Sequence, residues 1–147
     1  MDLYLEKTIN RLLINNQRVA QGFIHAGEKI GNKILKSLFL RLAEVHQQFA
    51  DELRLEILLE NGDPQILPQP SIGFSNLLQE VRYLMTGKNG ALIISKCARD
   101  HRAILKKYFM TLEAESLPVV VRNTVVRQWR TLKDIVEIIR LEKVLAL

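Results

Sequence analysis

The sequence predicts an all-α fold: a bundle of four long helices with one long crossover. Three observations predict it. Four long segments each carry an apolar stripe at helical spacing. A stretch of roughly 25–30 residues, Asn61–Lys88, separates the second from the third. Gly and Pro are sparse, at 7 and 4 in 147 residues, and most fall in a few short clusters. Long unbroken helices tolerate such a composition, whereas a multi-stranded sheet needs more turns.

The first helix begins near Asp2, a good N-cap. Leu5, Ile9, Leu12, Val19, Phe23, Ala26 and Ile30 follow an alternating four–three spacing that winds one seam along it. Asn16 occupies the one missing place. Gly31 suits a left-handed stop and Asn32 can cap the next helix. So short a turn folds the second helix back antiparallel on the first.

The second helix runs from about Lys33 to Glu60. Leu35, Phe39, Leu42, Phe49 and Leu53 make its seam, with His46 in the centre. Asn61-Gly62-Asp63-Pro64 ends it, the glycine allowing a positive dihedral and the proline disfavouring helix before it. Pro68 and Pro70 keep the next residues extended. A short helix over about Phe74–Met85 follows, with Leu77, Leu78, Val81 and Leu84 on one face, and Thr86–Gly90 is a break. This connection can span the roughly 40 Å of a bundle. A parallel second-to-third crossover is then feasible, as in the ferritin-like layout.

The third helix covers about Ala91–Glu115, lined by Ile94, Cys97, Ala98, His101, Leu105, Tyr108 and Leu112. Ser116 reads as a fresh N-cap and Pro118 as a first-turn proline. The fourth helix carries Val121, Val125, Leu132, Ile135 and Ile139, with Gln128 inside the stripe and Trp129 beside it. Runs such as Leu38-Phe39-Leu40, Ile57-Leu58-Leu59 and Val119-Val120-Val121 are apolar beyond one seam. Part of the surplus can cover the crossover helix; the rest points to self-association.

Composition narrows the classes. The length suits one domain over residues 1–147, large enough to bury roughly two-thirds of its unfolded surface. Cys97 is the only cysteine, so an intramolecular disulfide scaffold is excluded. The start, Met1-Asp2-Leu3-Tyr4-Leu5-Glu6-Lys7, has early acids and no uninterrupted apolar core, unlike a signal peptide. No run reaches the roughly 18 apolar residues of a membrane span. A cytoplasmic location with no membrane partner is expected.

The net charge is +5. Lys96, Arg99, Arg102, Lys106 and Lys107 occupy the outer side of the third helix, and Arg122, Arg127, Arg130 and Lys133 that of the fourth. Asp100, Glu113, Glu115 and Asp134 interrupt them. This reads as a solvated face; a nucleic-acid partner is not expected, because the features of a dedicated reader are missing.

Asn16, His46, His101 and Gln128 each fall in or beside a stripe near mid-helix. With the helices in register the four can meet in one layer, where buried polar groups supply each other's hydrogen bonds. Such a layer fixes register. Its functional alternative is a metal or small-ligand site. A dinuclear iron bundle places one Glu on each of two helices and Glu-x-x-His on each of the other two. Glu44-Val45-His46 misses that spacing by one residue, and the fourth helix has no His. The candidate ligands are Glu28, His46, Glu52, His101 and Glu137, and a zinc held by His46, His101 and one carboxylate is conceivable. His25 and Glu28 have i, i+3 spacing in reverse order near the end of the first helix. Nucleophilic catalysis has no motif, and Cys97 lies where a thiol is usually inert.

Several pieces together resemble a bacterial ferritin-like four-helix-bundle family described only as a domain of unknown function. They are Gly22-Phe23 followed by Ala26 and Glu28, Leu38-Phe39 leading to Phe49-Ala50-Asp51-Glu52-Leu53, the Gly62-Asp63-Pro64 break, the short helix ending in Thr86-Gly87, the Cys97 region, and Leu117-Pro118. The resemblance implies a ferritin-like bundle with a stress-associated role. Metal-competent members carry more inward acids and a His in the fourth helix; Ala20, Ala98 and Val136 stand here where such residues are expected. Glu28 and Glu52 match acidic places.

The leading expectation is therefore a non-enzymatic bundle without a cofactor, acting as a homodimer or with another protein. The competing expectation is a ferritin-like protein binding iron, manganese or zinc at an incomplete dinuclear site.

Overall fold

The computed structural model describes residues 1–65, 90–114 and 116–145. Four helices run through them, α1 over Leu3–Lys29, α2 over Lys33–Leu59, α3 over Gly90–Ala114 and α4 over Val119–Leu145. No strand occurs among the described residues. The short helix expected over Phe74–Met85 and most of the crossover lie outside them.

Local chemistry sets the helix ends. Asp2 caps α1, its carboxylate accepting from the Tyr4 amide at 2.8 Å. Asn32 caps α2, its Oδ1 accepting from the Ile34 and Leu35 amides at 2.9 and 3.2 Å. Two expected stops are corrected. Gly31 is not left-handed; Ile30 leaves α1 in extended backbone at φ −81°, ψ 133°. At the end of α2 the positive φ belongs to Asn61, at 60°, and not to Gly62. The Gly62 amide reaches back to the Ile57 carbonyl at 2.8 Å and the Asn61 amide to that of Leu58 at 3.1 Å, the paired bonds of a Schellman stop. Asn tolerates the left-handed region because its short polar side chain bonds locally. Gly62 is needed for space: a Cβ there would stand 2.8 Å from Ile57 Cγ2. Helix α4 starts two residues later than expected: the Pro118 carbonyl accepts from the Arg122 amide at 2.8 Å, so Pro118 takes the capping position expected of Ser116 and stands before the first turn.

Helix α1 borders α2 and α3, and α4 borders the same two, so α1/α4 and α2/α3 stand on the diagonals. Contacts give the directions. Thr124 meets Glu56 while Gln128 meets Phe49, so α4 runs against α2. Asn16 meets Tyr108 while Phe23 meets His101, so α3 runs against α1. Helices α2 and α3 therefore run the same way. The chain between them must travel the length of the bundle, as the sequence predicts.

The expected seams form the core. Ile9, Leu12, Phe23 and Ala26 of α1 are buried, as are all five apolar seam residues of α2, and Val121, Val125, Leu132 and Ile135 of α4. Leu13, Ala20, Ile57 and Ile104 are buried too. Each bundle helix faces two neighbours, so its stripe is wider than a single seam. At the pole where α1 begins, large apolar side chains stay exposed on every helix: Leu3 and Tyr4, Leu55, Leu58 and Leu59, Phe109 and Met110, Val119 and Val120.

Candidate functional site

Asn16, His46, His101 and Gln128 meet at the bundle centre, all with no exposed surface. The link sequence reading missed is Tyr108, equally buried. Asn16 Nδ2 donates to the Tyr108 hydroxyl at 2.7 Å and to the Leu12 carbonyl at 2.9 Å. The hydroxyl in turn donates to Gln128 Oε1 at 2.6 Å. Gln128 Nε2 donates to the Phe49 carbonyl at 3.2 Å and to Glu52 Oε2 at 3.0 Å. On the other side His46 Nδ1 lies 2.8 Å from Asn16 Oδ1, and His46 Nε2 lies 3.1 Å from His101 Nδ1. The bonds thus run between neighbouring helices around the bundle, and the histidine pair crosses its diagonal.

The protonation pattern follows from one end. Glu52, held at the surface by Arg127, is a carboxylate and only accepts, so Gln128 turns its amide nitrogen toward it and its oxygen inward. The Tyr108 proton then points to Gln128, its lone pair to Asn16, and Asn16 Oδ1 to His46. His46 must carry its proton on Nδ1. With a neutral ring its Nε2 accepts, and His101 must carry its proton on Nδ1.

Burial keeps both rings neutral. It pushes His46 well below the ordinary imidazole value, with the neighbouring His101 adding to the effect. It lowers His101 to about 4 against a weaker opposing influence from the Leu132 backbone. Phe23 packs on both rings, at centroid distances of 5.8 and 6.2 Å, and Phe49 stands edge-on to His46 at 6.4 Å. The Cys97 thiol, one turn before His101, is raised to about 12, chiefly by burial. It is a poor nucleophile at neutral pH.

A family described as a Domain of unknown function (DUF2383) matches residues 5–114. The chain belongs to this family. The DUF2383 match takes in Asn16, His46, His101 and Tyr108, and stops short of α4, which supplies Gln128. No curated protein matches the chain.

Of the five candidate ligands, the structure brings together His46 and His101. Glu52 reaches the same network only through Gln128. Glu28 is exposed, beside His25 at 3.9 Å. Glu137 is exposed on α4. Among the described residues no three His, Cys, Asp or Glu side chains stand close enough to hold a metal ion. The two imidazoles spend their facing nitrogens on each other. The described donors therefore do not fit the dinuclear centre that a ferritin-like resemblance implies.

Helices α3 and α4, which carry the basic residues, are neighbours, as expected. Two of their charges are engaged within the chain: Arg127 with Glu52, and Lys133 4.0 Å over the Trp129 ring. No described helix is long and apolar enough to cross a membrane.

Proposed function

We propose that this DUF2383 protein is a non-enzymatic, ferritin-like helical bundle that acts through self-association, with a second copy docking at the pole where α1 begins. The observation that carries the reading is the gathering of exposed Leu55, Leu58, Leu59, Met110, Val119 and Val120 at one end of the molecule. Exposed apolar side chains gathered at one end in this way mark association sites. The parallel course of α2 and α3 supports the ferritin-like layout, since that layout needs one crossover along the bundle. The centre supports a structural use: its polar groups are consumed by one another, and no described set of side chains is poised for substrate chemistry.

Size-exclusion chromatography with light scattering on the full chain tests it. A dimer mass at micromolar concentration is expected. A monomer mass that persists to high micromolar concentration overturns the reading.

A further inference from the structure

The hydrogen-bond chain through the centre has a polarity, and the polarity has an end. From Glu52 inward, each group donates toward the surface and accepts from deeper in: Gln128, Tyr108, Asn16, His46, His101. The last member has no group to accept from. His101 Nε2 is buried and has no hydrogen-bond partner among the described residues, a lack it shares with Asn15 Nδ2 and Gln17 Oε1 on α1. The Leu132 backbone lies close enough to favour a protonated ring, without forming a bond of ordinary geometry. A proton on Nε2 would complete the chain's hydrogen bonding, but it would also place a charge where nothing balances it.

The surroundings show why. From α1, Asn16 and Phe23 face the pair, both uncharged. From α2, the nearest charged group in the network is Glu52, already matched by Arg127. From α3, Tyr108 and Cys97 are neutral, their acidities suppressed mainly by burial. From α4 come the Gln128 amide and the Leu132 backbone. The rings sit 4.8 Å apart between centroids, so a second proton would set like charges against each other.

We propose that the His46–His101 pair is an acid-operated latch, in which protons taken up by the two rings charge the α2–α3 diagonal and open the bundle. Both rings are neutral when folded and ordinary imidazoles when unfolded, so acid favours the unfolded chain. The stability they contribute is complete above the ordinary value of 6.5 and is lost as pH falls from there toward about 4.

The test compares the urea unfolding of wild type with that of His101→Gln, which keeps a donor for His46 and cannot titrate. Carboxylates contribute to both slopes and cancel in the ratio. The wild-type unfolding constant is expected to rise, relative to the variant's, about tenfold per pH unit between about pH 6 and 4.5. Equal pH slopes overturn the latch. Should His101→Gln not fold, ring resonances of wild type decide by NMR: His46 and His101 still neutral at pH 5 uphold it, and titration of both near the ordinary value overturns it.

Discussion

The centre of the bundle and the pole where α1 begins reverse the usual distribution of side chains. At the centre, five polar side chains from four helices are fully buried, and each of the four pairs of neighbouring helices is stitched by a hydrogen bond of 3.2 Å or less. At the pole, Leu59, Val119 and Val120 are each more than half exposed. The first arrangement contributes little net free energy, because each internal bond replaces one to water. Its value lies in selectivity: any helix slid by one turn leaves buried donors and acceptors without partners, which is how a buried polar residue fixes register in coiled coils. The second arrangement adds nothing to the isolated fold. On the proposed reading, register and association belong to different regions, and each can be perturbed without the other.

The largest expected effect is at the centre. Tyr108→Ala removes a fully buried ring and should destabilise by about 3–5 kcal/mol. Tyr108→Phe separates packing from the network. Phe fills the same space but leaves Gln128 Oε1 without its donor and Asn16 Nδ2 with only the Leu12 carbonyl. Orphaning such a group costs about 1–3 kcal/mol. Urea midpoints of the two variants read the difference; a Tyr108→Phe midpoint equal to wild type would mean that the centre holds by packing alone.

Next comes the way α2 stops at the pole. Gly62→Ala drives a methyl against Ile57, and overpacking of this kind costs about 1–3 kcal/mol. Asn61→Gly, by contrast, relieves the left-handed backbone at φ 60° and should be close to neutral or slightly stabilising. If the two substitutions had the same effect in thermal unfolding, the division of labour between these residues would be wrong.

That pair also shows where the sequence stops being legible. Periodicity reveals which face of a helix is inward, and it placed Asn16, His46, His101 and Gln128 in one layer that the structure assembles. It does not reveal which atoms meet. Tyr108 reads as an apolar stripe residue because its ring dominates its volume; its hydroxyl matters only once Asn16 and Gln128 flank it from α1 and α4. The end of α2 was legible as a stop, but dihedral preference alone favoured Gly62 for a position that Asn61 takes. The contact deciding it, with Ile57, is a matter of packing. Glu28 and Glu137 matched a ligand pattern by residue type, yet both are exposed, the first beside His25. A seam fixes an angle around the helix, and these two lie outside it.

A smaller effect sharpens how far the centre reaches outward. Glu52→Gln removes the ion pair with Arg127 but keeps an oxygen able to accept from Gln128. Partly exposed pairs of this kind contribute about 0.2–1 kcal/mol. The loss should shrink further in high salt, where wild type loses the same term. A larger, salt-independent loss would show that the carboxylate, and not merely an acceptor, orients the Gln128 amide and the bonds behind it.

The smallest effect on stability is expected at the pole, where the largest effect on mass should appear. Leu58→Lys with Val120→Lys places two charges on exposed positions of α2 and α4. Neither side chain belongs to the buried core, so folding should change by no more than about 0.5 kcal/mol for each. A lysine at an apolar interface must lose its hydration without a partner, so association should fail while the urea midpoint, read at a concentration where wild type is dissociated, stays put. Should the double variant keep the wild-type mass, the interface lies elsewhere and the exposed pole has no role in assembly. Should it lose stability as well as mass, the pole supports the fold directly, and the separation between a register-setting centre and an associating end fails.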